Sequence, residues 1–148
     1  MALDTVITFQ TDRFKPTPGE LDEDADHEDW INPGRFAKEA ADFMAAALAE
    51  RGTPIATNFT EDWGRWVEID HDGGYFLAVG LQNLTNAPPY QWLAMMTPET
   101  PTFRPARKLF RKVNVEVRVI ALRDTVFEIL RAAEGIEEVT IKTPNDVL

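Results

Sequence analysis

The stretch of this chain richest in reactive and recognition side chains is Glu61-Asp62-Trp63-Gly64-Arg65-Trp66. Two carboxylates, a guanidinium and two indoles close together are the ingredients of a polar–aromatic contact surface, because Trp and Arg most often anchor protein interfaces. Glu61, Asp62, Trp63, Arg65 and Trp66 are therefore the candidate binding residues. A strand through them would turn Arg65, Val67 and Ile69 to one side and Trp66, Glu68 and Asp70 to the other. The competing reading is packing: one Trp in the core, the other over a sheet edge, and Arg65 stacked on it or paired with an acid.

Asp70-His71-Asp72 offers acid–base or metal-ligating groups. In an extended strand the two aspartates share a face and His71 points away, so the trio converges only if the chain bends. Asp72-Gly73-Gly74 is also ordinary hairpin chemistry, since glycine tolerates positive φ. The acidic run from Glu20 to Asp29 has Asp22, Asp24 and Asp26 at the first, third and fifth positions of a calcium loop. The match then fails: His27 stands where the loop needs glycine, and Pro33 where a bidentate glutamate should close it. A solvated loop is the expectation there. Arg104, Arg107, Lys108 and Arg111 form a basic block, read as an anion or nucleic-acid patch, as a solvated helical face, or as a surface over which the acidic loop folds.

Absences narrow the chemistry further. The chain has no serine, no cysteine and two histidines, His27 and His71. That removes the two commonest nucleophiles and the ligands of ordinary structural zinc sites. No glycine-rich phosphate or dinucleotide motif is present, so no cofactor, metal site or catalytic residue is nominated. The net charge is −10, and seven of the ten residues from Glu20 to Asp29 are acidic. Such a protein repels nucleic acid and draws in a basic partner. No apolar run approaches the roughly 18 residues of a membrane span. With no leader-like start, the expected location is the cytoplasm.

The elements that must position these groups are legible in the pattern. Thr5–Thr11 is a strand, and residues 12–31 form the acidic loop. Asn32-Pro33 opens a helix that ends at Gly52, with Phe36, Ala40, Phe43, Met44, Ala47 and Leu48 on its apolar face. Strands follow at 54–59, 63–70, 75–82 and 90–96, with Gly80 marking a close backbone neighbour. Residues 102–113 read as a short helix. A longer helix with Val115, Val119, Leu122, Val126 and Ile129 inward is capped by Asn114 and closed by Gly135, and a last strand covers 139–142.

The segments NPGRFAKEAADFMAAALAERG, EDWGRWVEI, YFLAVGLQN and LFRKV resemble a family of small bacterial proteins with no assigned activity, over roughly Trp30 to Arg131. That resemblance implies no residue roles.

The expectation is one α+β domain over residues 1–148. A mostly antiparallel sheet of five or six strands lies in two layers with two helices on one face, and the first strand–helix–strand unit supplies a parallel pair. The expected function is a non-catalytic module that binds a basic protein, as an immunity protein or an adaptor would, by analogy of size and charge. The alternatives are a carboxylate enzyme, with or without a metal, built on Glu61, Asp62, Asp70, His71 and Asp72, and a structural protein that associates with itself as a homodimer.

Overall fold

The computed structural model describes residues 3–21, 27–100, 102–103 and 113–146. A six-stranded sheet runs through β1 (Val6–Gln10), β2 (Ile55–Thr60), β3 (Arg65–Ile69), β4 (Ala78–Asn83), β5 (Gln91–Thr97) and β8 (Glu137–Lys142). Two helices, α1 (Lys38–Glu50) and α2 (Glu116–Ala132), complete the α+β sandwich. The sheet order is β2-β3-β4-β5-β1-β8, and every pairing is antiparallel. The expected parallel pair is therefore absent from the sheet. The β2–β5 meander, joined by short turns, places β5 beside β1, while α1 carries the chain across the sheet to its far edge at β2.

One face of the sheet meets both helices. Ile7, Phe9, Val67, Ile69, Val79, Leu81, Trp92 and Ala94 alternate onto it and pack with Met44 and Leu48 of α1 and Val119, Leu122, Val126 and Ile129 of α2. Trp92 sits at its centre, fully buried among Phe9, Phe14 and Phe36, with the last two rings edge-on to it at 5.6 and 5.5 Å. Burial of this aromatic group contributes more than any cap or surface pair can.

Two local expectations are corrected. The first helix starts at Lys38 and not at Pro33, because Gly34 is left-handed at φ 78° and Asn32 turns its amide to Asp62 O. Residues 102–103 and 113–114 are not helical: Thr102–Phe103 (β6) pairs antiparallel with Val113–Asn114 (β7). The basic block at 104–112 lies outside the described residues, as do Asp22 to Asp26. Asn114 does serve the second helix, its Oδ1 accepting from Glu116 N at 3.0 Å. Among the described residues, no helix is long and apolar enough to cross a membrane.

Candidate functional site

Strand parity divides the polar–aromatic cluster between two faces. Glu61 and Asp62 lie in the turn from β2 to β3, closed by Glu61 N donating to Gly64 O at 2.8 Å. Gly64 packs so tightly on β4 that a Cβ would stand 2.1 Å from Leu81 O, so only glycine fits. From this turn Trp63 and Trp66 go to the face away from the helices, while Arg65 goes with Val67 and Ile69 to the helix side. Arg65, a candidate binding residue by its sequence position, is only 6% exposed and is paired with an acid, Asp29, as the packing alternative expects.

On the far face, Trp63 and Trp66 meet edge to face at 4.9 Å, and Trp66 meets Phe76 the same way at 5.3 Å. Phe59, opposite Trp66 in register, adds a tilted contact to Phe76 at 6.2 Å. Gly80 lies beneath: a Cβ there would reach Trp63 at 2.8 Å and Trp66 at 2.9 Å. The cluster needs a bare backbone as its floor, which is the close approach that a glycine inside a strand signals. Phe59, Trp63 and Trp66 are half-buried and Phe76 is exposed. Glu68, also half-buried, follows Trp66 on this face and has no ion-pair partner among the described residues.

On the helix side, the Arg65 guanidinium is held from three directions. Nε donates to Asn58 Oδ1 at 2.9 Å, and Nη1 donates to Thr60 Oγ1 at 3.0 Å and Asp29 Oδ1 at 3.3 Å. Asn58 passes the chain on to Asp42 at 2.9 Å, and Lys38 closes it at 3.2 Å. A buried cation requires such partners, since an unpaired charge here would be strongly destabilising. A shallow cleft of about 340 Å³ opens beside this network, lined by Glu28, Asp29, Lys38, Asn58, Thr60 and Arg65.

The two ends of the acidic run are therefore structural. Asp29 pairs with Arg65, and Glu20, 3% exposed, holds the start of α1. Glu20 Oε2 accepts from Ala37 N at 2.6 Å and Lys38 N at 3.0 Å, while Oε1 accepts from Thr17 N and Oγ1, both at 3.0 Å. Phe36 N donates to Asn83 Oδ1 at 3.0 Å. The bonds from Ala37 and Lys38 satisfy N–H groups that the helix itself leaves open, and the carboxylate also meets the positive end of the helix dipole. Glu20 and Asn83 carry no sequence signal for this role, because each lies far along the chain from the helix it serves.

The Asp70–Asp72 segment sits at the opposite end of β3 from Glu61 and Asp62, so the five residues of the enzyme alternative do not form one site. His71 Nδ1 accepts from Gly73 N at 3.0 Å and from Arg118 Nη1 at 2.9 Å. Its Nε2 then carries the proton and donates to Tyr75 O at 2.8 Å. Both ring nitrogens are occupied, leaving no lone pair for a substrate. Arg118 Nη2 also donates to Asp72 Oδ1 at 2.7 Å, and this bond, with the Arg118 charge, holds the Asp72 carboxyl below its ordinary range. Burial pushes the Tyr75 phenol up. Arg118, on α2, is a residue the sequence reading missed; a partner 47 residues away leaves no local mark. Among the described residues, no group of three His, Asp or Glu is placed to hold a metal ion.

No family model, curated protein or solved structure matches this chain.

Proposed function

We propose that this protein is a non-catalytic binding module whose contact surface is the aromatic face of the sheet and whose partner is a basic protein. The observation that carries the reading is the cluster of Trp63, Trp66 and Phe76 on the face away from both helices, part-exposed and fixed over Gly80. Indoles held rigidly at low entropic cost are what interface hot spots are made of. Their ring faces attract Lys and Arg. Glu68 beside them and a net charge of −10 favour the same sign of partner, chiefly by raising the association rate. Of the residues first nominated, Trp63 and Trp66 carry this reading and Arg65 supports it from behind the sheet. Glu61 and Asp62 flank it in the turn.

The experiment is recovery of tagged protein from its own cells, comparing wild type with Glu68→Lys, which leaves the aromatic packing in place, and with Trp66→Ala. The expected result is a basic protein in one-to-one amount with wild type, absent from both variants. Equal recovery on all three would overturn the reading. Recovery of a second copy of the chain, dependent on Trp66, would replace it with self-association.

A further inference from the structure

We propose that β2 is a docking edge that accepts an extended segment of the partner as a seventh strand, one whose side chains alternate basic and apolar. The inference rests on the binding-module reading and specifies how the partner is held.

The two edges of the sheet are built differently. At one edge, β8 carries Glu137, Glu138 and Lys142, has Glu138 at φ 54°, and meets β1 through a register shift. Charge and irregularity of this kind prevent further pairing. At the other edge, β2 reads Ile-Ala-Thr-Asn-Phe-Thr, with no charge and no proline. It has its own register shift near Ala56, but Thr57 to Thr60 pair regularly with Glu68 to Arg65. β3 is its only strand neighbour among the described residues. Among the described residues, the one hydrogen bond to a β2 backbone atom besides the β2–β3 ladder comes from a β3 side chain, Arg65 Nη2, 3.5 Å from Asn58 O. Alternate N–H and C=O groups of an edge strand point outward, ready for a new strand.

The surroundings select the occupant. On the helix side β2 is bordered by Glu28, Asp29 and Asp42; Lys38 and Arg65 beside them are each already held by one of those acids, and His27 Nδ1 lies 3.6 Å from Asp29 Oδ2. Glu61 and Asp62 follow directly at the end of the strand. On the other side, Phe59 continues into Phe76 and Trp66. A strand laid along β2 would thus set one row of side chains against carboxylates and the other against aromatic rings. Main-chain bonds supply affinity in this mode, and the alternating rows supply selectivity. Lys or Arg in the first row and apolar residues in the second match both sides. A second copy of this acidic chain would bring like charges together.

The test uses the full-length protein and two synthetic capped peptides, one alternating lysine with valine and one alternating glutamate with valine. Amide hydrogen exchange is followed residue by residue at low salt. The outward amides of Ala56–Thr60 are expected to exchange fast in the free protein and to slow about tenfold or more with the lysine peptide alone. Glu28→Lys, at an exposed acid that borders β2 on the carboxylate side, should abolish this protection, and Glu28→Asp should keep it, both with wild-type melting temperature. Failure of the lysine peptide to protect β2, or protection of β8 instead, would overturn the proposal. A tryptophan fluorescence shift without β2 protection would also overturn it, while leaving the aromatic-face reading intact. Protection that rises with protein concentration in the absence of peptide would identify a second copy as the occupant and equally overturn it.

Discussion

The carboxylate of Glu20 accepts the backbone N–H of Ala37 at 2.6 Å, joining the first acid of the acidic run to the start of α1 across seventeen residues. The same oxygen takes Lys38 N, and the other holds Thr17. Removing this group leaves several buried donors without a partner. Glu20→Ala is expected to destabilise the fold by about 2–3 kcal/mol, measured by urea denaturation. Glu28→Ala, at an exposed acid of the same run, should change it by less than about 0.5 kcal/mol. Equal effects would remove the distinction between the structural end and the solvated part of the run.

Arg65→Ala leaves Asp29 facing a buried void and strips Asn58 and Thr60 of their donor. A loss of about 3 kcal/mol and a clear fall in melting temperature are expected. Arg65→Lys should recover only part of it, because one ammonium cannot reproduce the fork that contacts Asn58, Thr60 and Asp29. A double-mutant cycle with Asp29→Asn measures the coupling. A melting temperature unchanged in Arg65→Ala would contradict the buried network.

Gly80→Ala drives a methyl into the rings of Trp63 and Trp66, with contacts near 2.8 and 2.9 Å before relaxation. The expected destabilisation is about 1–3 kcal/mol, with a shift in tryptophan fluorescence. Trp66→Ala, at a half-buried position, should destabilise by about 1–2 kcal/mol while removing partner binding altogether. If binding falls only in proportion to stability, the indole acts by packing and not by contact.

Asp72 titrates below the ordinary aspartate value of 3.8, first because Arg118 hydrogen-bonds it and then because of the Arg118 charge. A depressed folded-state value means that the stabilisation is present above the unfolded value and is lost as pH falls through the folded one. Carboxyl-carbon NMR titration should therefore show Asp72 ionised down to more acid pH than exposed aspartates, and Arg118→Ala should return it to the ordinary range. At the alkaline end the sign reverses. Burial raises the Tyr75 phenol above 10.0, so its contribution is complete below that pH and disappears as pH rises through the folded value. Phenolate absorbance during a pH titration checks this directly.

Local pattern was enough to place six strands, two helices and most of the core, because alternation and helical spacing depend on near neighbours. It placed Arg65 with Val67 and Ile69 by parity, yet not inside the protein, since the burial depends on Asp29 and Asn58 arriving from elsewhere. The start of α1 was misread for a similar reason. Asn32-Pro33 is a good local opening, but a left-handed Gly34 and the distant side chains of Glu20 and Asn83 set the true one. Likewise Arg118 became visible at the His71 hairpin only once α2 was packed beside it. Chemistry assembled across long separations leaves no trace at the level of spacing.

β1 lies between β5 and β8, hydrogen-bonded to both. During synthesis this strand can find its first neighbour only once β5 has been made, and its second only when β8 has emerged from the ribosome. Assembly of the sheet is therefore a late event, with Ile7 and Phe9 waiting unburied in the nascent chain. A ribosome stalled before residue 137 should hold a polypeptide that proteases still cut readily.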